Sequence, residues 1–499
     1  MSGQPLASVL LTAHSQFRGL LCGVARRLGD EQGARVHLLC TTKEQVQYYQ
    51  RRQPDLFASI AVNDALYAGC RLPVSDPAAV VAEARGNEDW LGTTINELAV
   101  SDRHLGRGYA LGGLYHPRSR ISENTSYLQM LHGFNRLIEF WRGQIAARKP
   151  DLVLNGDKVA ALICRREGIP YRTIAPSRYQ TYFQWARSEF YENPEIEQSF
   201  RRLRQVPPAQ LPQPYQAHLA LRQVFLRESS LPGFLGKSGK LLLRRAYWRL
   251  RGYEKGRGYR VRSELRYLYR QWRDRRQLTG PATVSLSSLE GRPFVYYPLH
   301  TEPETALQML SPEYFYQLSC IAALSRDLPA GVLLAVKDIY YAVGRRPADF
   351  YTQIREFKNV VLLDMLELGL EVVRKCSAVA TITGTGGFEG AVLGKPVITF
   401  GRHNQYNCLP HVFVVTDERE LKGHLRRALS PDFDPEQAAR DGARLLQAVI
   451  DNSFDLKDFS ITEPEKAGAE VIDAAYRSLV EGLGEAAAEK AAAGSAAAG

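Results

Sequence analysis

The sequence predicts an α/β protein with two Rossmann-like domains facing a cleft and a basic helical insertion. Three observations carry this expectation. The chain has 499 residues, more than a single hydrophobic core usually serves, so two domains are expected. Its beginning alternates short apolar runs with segments of helical period, the pattern of a parallel sheet with crossover helices. A second pattern of that kind, AVATITGTGGFEGAVLGKPVITFG, occupies 378–401.

Residues 8–12 read as a short apolar strand, 17–29 as an amphipathic helix and 35–40 as a second strand, giving a βαβ opening. Residues 48–120 are mixed, with helical periodicity at 77–85, and 125–149 form one long helix. A further parallel strand at 151–155 passes through Gly156 and Asp157 into a helix at 159–166. Gly168-Ile169-Pro170 breaks that helix before a strand at 171–175. Open α/β sheets keep their sites at strand ends. His14 and Asp157 both follow strands directly and are candidate bases for an acceptor hydroxyl. Asp157 also stands where a helix N-cap belongs, and His14 where an imidazole packs against its neighbours. Asn155, Ser177 and Arg178 share this edge, and Arg178 suits an acidic sugar.

Residues 207–214 are proline-rich and mark a linker. The second domain opens at 293–297 and continues through a helix at 312–326, strands at 331–337 and 360–363 and a helix at 368–376. After the glycine string, 418–483 is mainly helical. By analogy with proteins of this architecture, the last helix braces the first domain. The alanine-rich end is low in complexity and expected to fray. The expected division is 1–206 for the acceptor domain, 207–291 for linker and insertion, 292–415 for the nucleotide domain, 416–484 for the terminal helices and 485–499 for the tail.

With 45% apolar and 23% charged residues, the composition is that of a globular protein. No apolar run approaches the roughly 20 residues needed to cross a bilayer, and the N-terminus lacks the pattern of a signal peptide. The seven cysteines are scattered without paired spacing, as free thiols in a reducing cytoplasm would be. No His/Cys cluster has metal-ligand spacing, and no Asp-x-Asp pair stands convincingly at a strand end, so no metal site is expected. The net charge of +11 is local. Residues 237–276 hold fifteen Lys or Arg against Glu254, Glu264 and Asp274, which leaves −1 for the rest of the chain. Tyr247, Trp248, Leu250, Tyr267 and Trp272 are among the aromatic and apolar residues set between these charges. Such a segment fits either a solvated interdomain helix pair or a helix lying on the inner face of an anionic membrane. Nucleic acid is not an expected partner, because the charge avoids the rest of the chain and no binding motif is present.

The glycine string reads as strand, turn, helix, strand. Gly384, Gly386 and Gly387 make the turn, residues 388–393 begin the helix, and 397–400 is the next strand. A helix N-terminus there offers backbone N–H groups to a phosphate. Thr383 and Thr385 add hydroxyls, and Glu389 is placed to reach a ribose. The lysine-serine ending of a P-loop and the spacing of a dinucleotide fingerprint are both absent. His300, Glu302 and Glu304 follow an apolar strand and form a polar cluster suited to orienting a sugar or moving a proton. Lys337, Arg345 and Arg346 supply cations for phosphate.

Three blocks in succession, YYPLHTEPE at 296–304, VKDIYYAVGRRPADFY at 336–351 and the glycine string, resemble the capsule polysaccharide biosynthesis family. Its members look like two-domain, GT-B-type glycosyltransferases, capsular Kdo transferases among them. The resemblance implies a metal-independent transferase that uses a CMP- or UDP-linked sugar as co-substrate and no other cofactor. It also implies a lipid-linked or growing glycan as acceptor, other capsule assembly proteins as partners, and a cytoplasmic, peripheral membrane location. Members commonly carry Lys-Glu-His-Pro where this chain has Lys337-Asp338-Ile339-Tyr340. Isoleucine cannot make the phosphate contact expected of that histidine. Two alternatives therefore stay open: a sugar-nucleotide 2-epimerase, and a non-catalytic capsule assembly or export protein.

Overall fold

The computed structural model describes residues 6–102, 105, 121, 124–205, 219–252, 261–301, 305–347, 349–457 and 463–497. The chain forms two compact units. The first comprises Met1–Leu98, Ser126–Arg202 and Gln447–Gly499; the second comprises Ala99–Thr125 and Leu203–Leu446. Each holds a Rossmann-like parallel sheet, as in GT-B-type folds.

In the first unit, β1 (Ser8–Thr12), β2 (Arg35–Cys40), β3 (Ser59–Val62), β4 (Leu152–Leu154) and β5 (Tyr171–Pro176) run parallel. An antiparallel β6 (Tyr182–Ala186) and the two-residue strand Phe454–Asp455 extend the sheet beyond β5. The spatial order is β6-β5-β4-β1-β2-β3, so the chain reverses its direction of travel between β1 and β4. Val9, Leu10 and Leu11 are buried because helices cover both faces of a central parallel strand. Helix Arg18–Gln32 turns Leu20, Leu21, Val24, Ala25 and Leu28 inward at helical spacing and stops at Gly33, whose φ of 70° only glycine adopts without cost. Helix Tyr127–Arg148 begins with a reciprocal cap: Ser126 Oγ accepts from Gln129 N–H at 3.3 Å, and Ser126 N–H donates to Gln129 Oε1 at 3.0 Å.

The final helix, Ala469–Ala497, packs on this same unit. Val471, Ala475, Tyr476 and Leu479 join its core, and Trp185 Nε1 donates to Ala475 O at 2.8 Å. A side chain at Gly23 would collide with Ile472, so the small residue lets the helix approach. The helix runs on through the alanine-rich stretch where fraying was expected, in keeping with alanine's helix propensity.

The second unit has β7 (Phe294–Pro298), β8 (Leu333–Lys337), β9 (Val360–Leu362), β10 (Ala378–Thr381), β11 (Val397–Thr399) and β12 (Val412–Val414). All pair in parallel, in the order β12-β11-β10-β7-β8-β9. The chain builds outward from β7 to β9, then crosses back to place β10 on the other side of β7. In open α/β sheets such a reversal marks the ligand-binding edge, here outside the carboxyl ends of β7 and β10.

The basic insertion belongs to this second unit. Its helix Val261–Asp274 buries Leu268, Arg270 and Asp274. Arg270 donates to the carbonyl of Arg346, and Gly344, at φ 81°, lies so near Gln271 that a Cβ would stand 2.6 Å from its backbone nitrogen. Several boundaries differ from the sequence reading. The expected helix at 312–326 is a 3-10 turn, Pro312–Tyr314, followed by helix Gln317–Asp327, and the glycine-string helix starts earlier, as Thr385–Val392.

Candidate functional site

The carboxyl ends of β7 and β10 are tied together by His300. Its backbone N–H donates to Gln317 Oε1 at 2.6 Å, its carbonyl accepts from Gln317 Nε2 at 3.0 Å, and its Nδ1 lies 3.2 Å from the same Oε1. On the other side of the ring, Nε2 faces the Thr383 peptide, in contact with its carbonyl and 3.1 Å from its backbone nitrogen. The Thr383 carbonyl beside it takes a hydrogen bond from Thr381 Oγ1 at 2.7 Å. The ring is buried and both nitrogens serve the fold. His300 therefore positions the turn through both sides of its ring. Glu302 and Glu304, its expected companions, lie outside the described residues.

The turn that His300 holds leads into helix Thr385–Val392 through Gly384, whose φ of 110° and ψ of 171° exclude other residues. No side chain caps this end. The N–H groups of Thr385, Gly386 and Gly387 have no intrahelical acceptor, and the helix dipole adds positive character there. The three glycines have different roles. Cβ atoms at Gly386 and Gly387 would meet Pro298 Cγ at 2.8 Å and Tyr406 Oη at 2.4 Å, so these two let the helix sit close on the sheet. Thr383 is buried against His300, whereas Thr385 is exposed.

Lys337 and Glu389 form an electrostatic couple beside this turn. Lys337, the last residue of β8, is buried, donates to Asp338 O at 3.3 Å and lies 5.8 Å from the centre of the Tyr340 ring. Burial pulls its pKa down to about 8, against the opposing fields of Asp338, Asp364, Glu367 and Glu389. Glu389 is half-buried, and loss of solvent lifts its carboxyl to about 7 while the Lys337 charge works to lower it. Near neutral pH this carboxyl is poised between its two forms, which suits a group that donates or accepts a hydrogen bond as charge develops. Tyr296 of β7 is buried next to it, and the Glu389 charge adds to the burial that raises its phenol pKa.

Arg346, expected as a phosphate cation, is not brought into this group. Its guanidinium grips Asp338, with Nη2 2.8 Å from Oδ1 and Nε 3.2 Å from Oδ2. Tyr351 Oη donates to the same carboxylate at 2.6 Å, and Ile339 N–H does so at 2.7 Å. Arg346 and Asp338 are both fully buried, so the paired charges fix the β8 loop and are not offered to a ligand. Arg345 stacks over Tyr267 at 5.4 Å. Of the three expected cations, Lys337 is the one whose charge is coupled to Glu389. Asp338, Tyr351, Gln317 and Tyr296 carry the site's framework and escaped the sequence reading; Asp338 lay within view as the residue after a strand end.

In the first unit, His14 and Asp157 stand at the ends of the adjacent strands β1 and β4, where that sheet also reverses. Asp157 caps helix Lys158–Glu167: Oδ1 accepts from Ala160 N–H at 2.9 Å and Oδ2 from Trp141 Nε1 at 3.0 Å. Burial of the carboxyl raises its pKa against those hydrogen bonds. His14 packs against Phe17 with the rings tilted and their centres 4.8 Å apart, and its Nδ1 accepts from Gln16 N–H at 3.3 Å. Its pKa is lowered by burial. Both residues thus have structural roles of their own.

No curated protein matches the chain. Among solved structures, the chain is similar to the glycotransferase of kitacinnamycin, at 12% identity over 90% of this chain and 96% of that one, with a TM-score of 0.25. UDP-GlcNAc 2-epimerase from Neisseria meningitidis, bound to UDP-GlcNAc, matches at 11% over 96% and 99%, with a TM-score of 0.26. Anabaena Alr3699/HepE, in complex with UDP and glucose, matches at 11% over 92% and 97%, with a TM-score of 0.27. These scores are too low to bear on function. A family model described as capsule polysaccharide biosynthesis protein matches residues 160–434. That span exceeds half of the chain and takes in the His300 turn, the Lys337 strand and the glycine string; the chain belongs to the capsule polysaccharide biosynthesis protein family.

Proposed function

We propose that this protein is a glycosyltransferase whose second unit binds a nucleotide-activated sugar, CMP- or UDP-linked, and transfers the sugar to a lipid-linked or growing surface polysaccharide. One observation carries the reading. The same edge of the sheet holds an uncapped helix N-terminus at Gly384 and the coupled Lys337 and Glu389. A departing phosphate gains negative charge as the glycosidic bond breaks. Backbone N–H groups at a helix start and a nearby ammonium stabilise that charge without metal. Glu389 is suited to a ribose hydroxyl. His14 and Asp157 remain the candidates for activating an acceptor hydroxyl, with Asp157 the stronger because it stands at the end of β4 with a pKa raised by burial, whereas burial lowers that of His14. A cytoplasmic, membrane-peripheral enzyme working with other capsule assembly proteins fits a lipid-linked acceptor.

A test is nucleotide release by the purified protein from CMP-, UDP- and GDP-sugars, with and without lipid-linked acceptor. Acceptor-dependent release from one donor is expected. Isomerisation of the sugar without acceptor would establish a 2-epimerase instead. Ile339, whose N–H is spent on Asp338 where relatives place histidine, favours a second reading, a non-catalytic assembly protein. Tight glycan binding with no release from any donor would decide for that one.

A further inference from the structure

We infer that helix Leu231–Leu250 is a docking element that lies in the headgroup layer of an anionic bilayer. This helix has 20 residues without a single Asp or Glu, and five cations: Lys237, Lys240, Arg244, Arg245 and Arg249. One side faces its own unit. Leu241 is buried, and Phe234 stacks on Trp272 at 6.0 Å and meets Tyr269 at 6.3 Å. Helix Val261–Asp274, which carries those two aromatics, is itself anchored through Arg270 to the Arg346 loop. The outer helix therefore stands on a fixed base.

Its other side is apolar and open to solvent. Leu231, Leu235, Leu242, Leu243, Tyr247 and Leu250 are all exposed, Leu243 by 74% and Leu250 by 86%. At helical spacing these six fall within an arc of about 160°. Lys240, Arg244 and Lys237 continue from one margin of the arc, and Arg245 and Arg249 lie at the other. A contiguous exposed apolar face of this kind marks an interaction surface.

The charge pattern selects the partner. An apolar face rimmed by cations, on a helix without an acid of its own and with Lys237 paired to Glu228 at 2.8 Å, matches acyl chains beneath anionic headgroups. A second copy packed face to face would oppose five cations with five more. Nucleic acid would use the cations and leave six apolar side chains in water. Tyr269 and Trp272 of the inner helix, which in sequence looked equally suited to a membrane, pack against Phe234 between the two helices. The outward leucines of the first helix are the surface. This docking stands independently of the transferase reading; only the conclusion that it brings the enzyme to a lipid-linked acceptor rests on that reading.

The test is co-sedimentation of the full chain with vesicles of phosphatidylcholine alone or mixed with phosphatidylglycerol. Binding to the mixed vesicles is expected to be at least about ten-fold tighter and to weaken with salt. The double variant Leu243→Glu, Leu250→Glu should lose that binding by about ten-fold or more with unchanged circular dichroism and donor-induced thermal shift. The charge variant Lys240→Gln, Arg244→Gln, Arg249→Gln should lose the preference for phosphatidylglycerol. The inference is overturned by an absence of sedimentation with either vesicle, or by unchanged binding of the Leu243→Glu, Leu250→Glu protein. A vesicle-free dimer that the leucine changes dissolve, or an oligonucleotide held more tightly than the vesicles, would also overturn it. Vesicle binding without sugar transfer would leave the surface standing and count against the transferase alone.

Discussion

Replacing Glu389 by glutamine isolates the charge at the heart of the proposed donor edge. Burial moves this carboxyl from its ordinary 4.5 to about 7. The folded protein therefore holds a proton there that the unfolded chain releases between those two values. Stability falls as pH rises through that window, because the unfolded state binds fewer protons. At about 1.36 kcal/mol per pH unit, the ionised carboxylate costs the fold roughly 3 kcal/mol above pH 7. That is an upper value, since the field of Lys337 is already part of the balance. Glutamine keeps the shape and removes the titration. Denaturant midpoints of the two proteins, measured at constant ionic strength, should nearly coincide at pH 5. By pH 8.5 the glutamine variant should be the more stable by about 2–3 kcal/mol. Lys337→Met should lift the Glu389 midpoint further, because the cation that favours its ionised form is gone. A difference between Glu389→Gln and the parent that does not change with pH would refute the reasoning.

Other perturbations separate the ligand edge from its framework. Gly384→Ala forces a side chain into φ 110° with its Cβ 3.0 Å from His300 Nε2, so a cost of about 1–3 kcal/mol and loss of the nucleotide-induced thermal shift are expected. Arg346→Ala strands the Asp338 carboxylate in the interior and should cost about 3–5 kcal/mol in chemical denaturation, the mark of a structural pair. An unchanged midpoint with lost nucleotide binding would return Arg346 to the phosphate. Asp157→Ala removes an N-cap worth about 1 kcal/mol. If the residue also activates the acceptor, kcat should fall by more than this stability loss explains, whereas Asp157→Asn should restore stability without rate.

The parallel strands were legible because a strand covered on both faces must be apolar throughout, and β1, β4, β7 and β10 are each such a run. The strand-end rule likewise located His300, Lys337 and Thr383 in sequence. Their roles were not legible. Arg345 and Arg346 look alike in the chain, and only the turn at Gly344 brings Arg346 back onto Asp338, eight residues earlier. His300 reads as a catalytic imidazole until Gln317, on a helix 17 residues away, and the Thr383 peptide are seen to occupy both ring nitrogens. The glycines also looked equivalent, yet Gly384 answers a backbone angle, and Gly386 and Gly387 answer the closeness of Pro298 and Tyr406. In the insertion, sequence showed charge and aromatics but not which helix faced outward, because that depends on long-range packing.

The most direct measurement is a crystal structure with the nucleotide that binds best in a thermal-shift screen of CMP, UDP and GDP. The phosphate is predicted at hydrogen-bond distance from the N–H groups of Thr385, Gly386 and Gly387, with the ribose near Glu389. A nucleotide seated away from the carboxyl ends of β7 and β10, or no binding at saturating concentrations of all three, would contradict the assignment of the glycine string as the donor site.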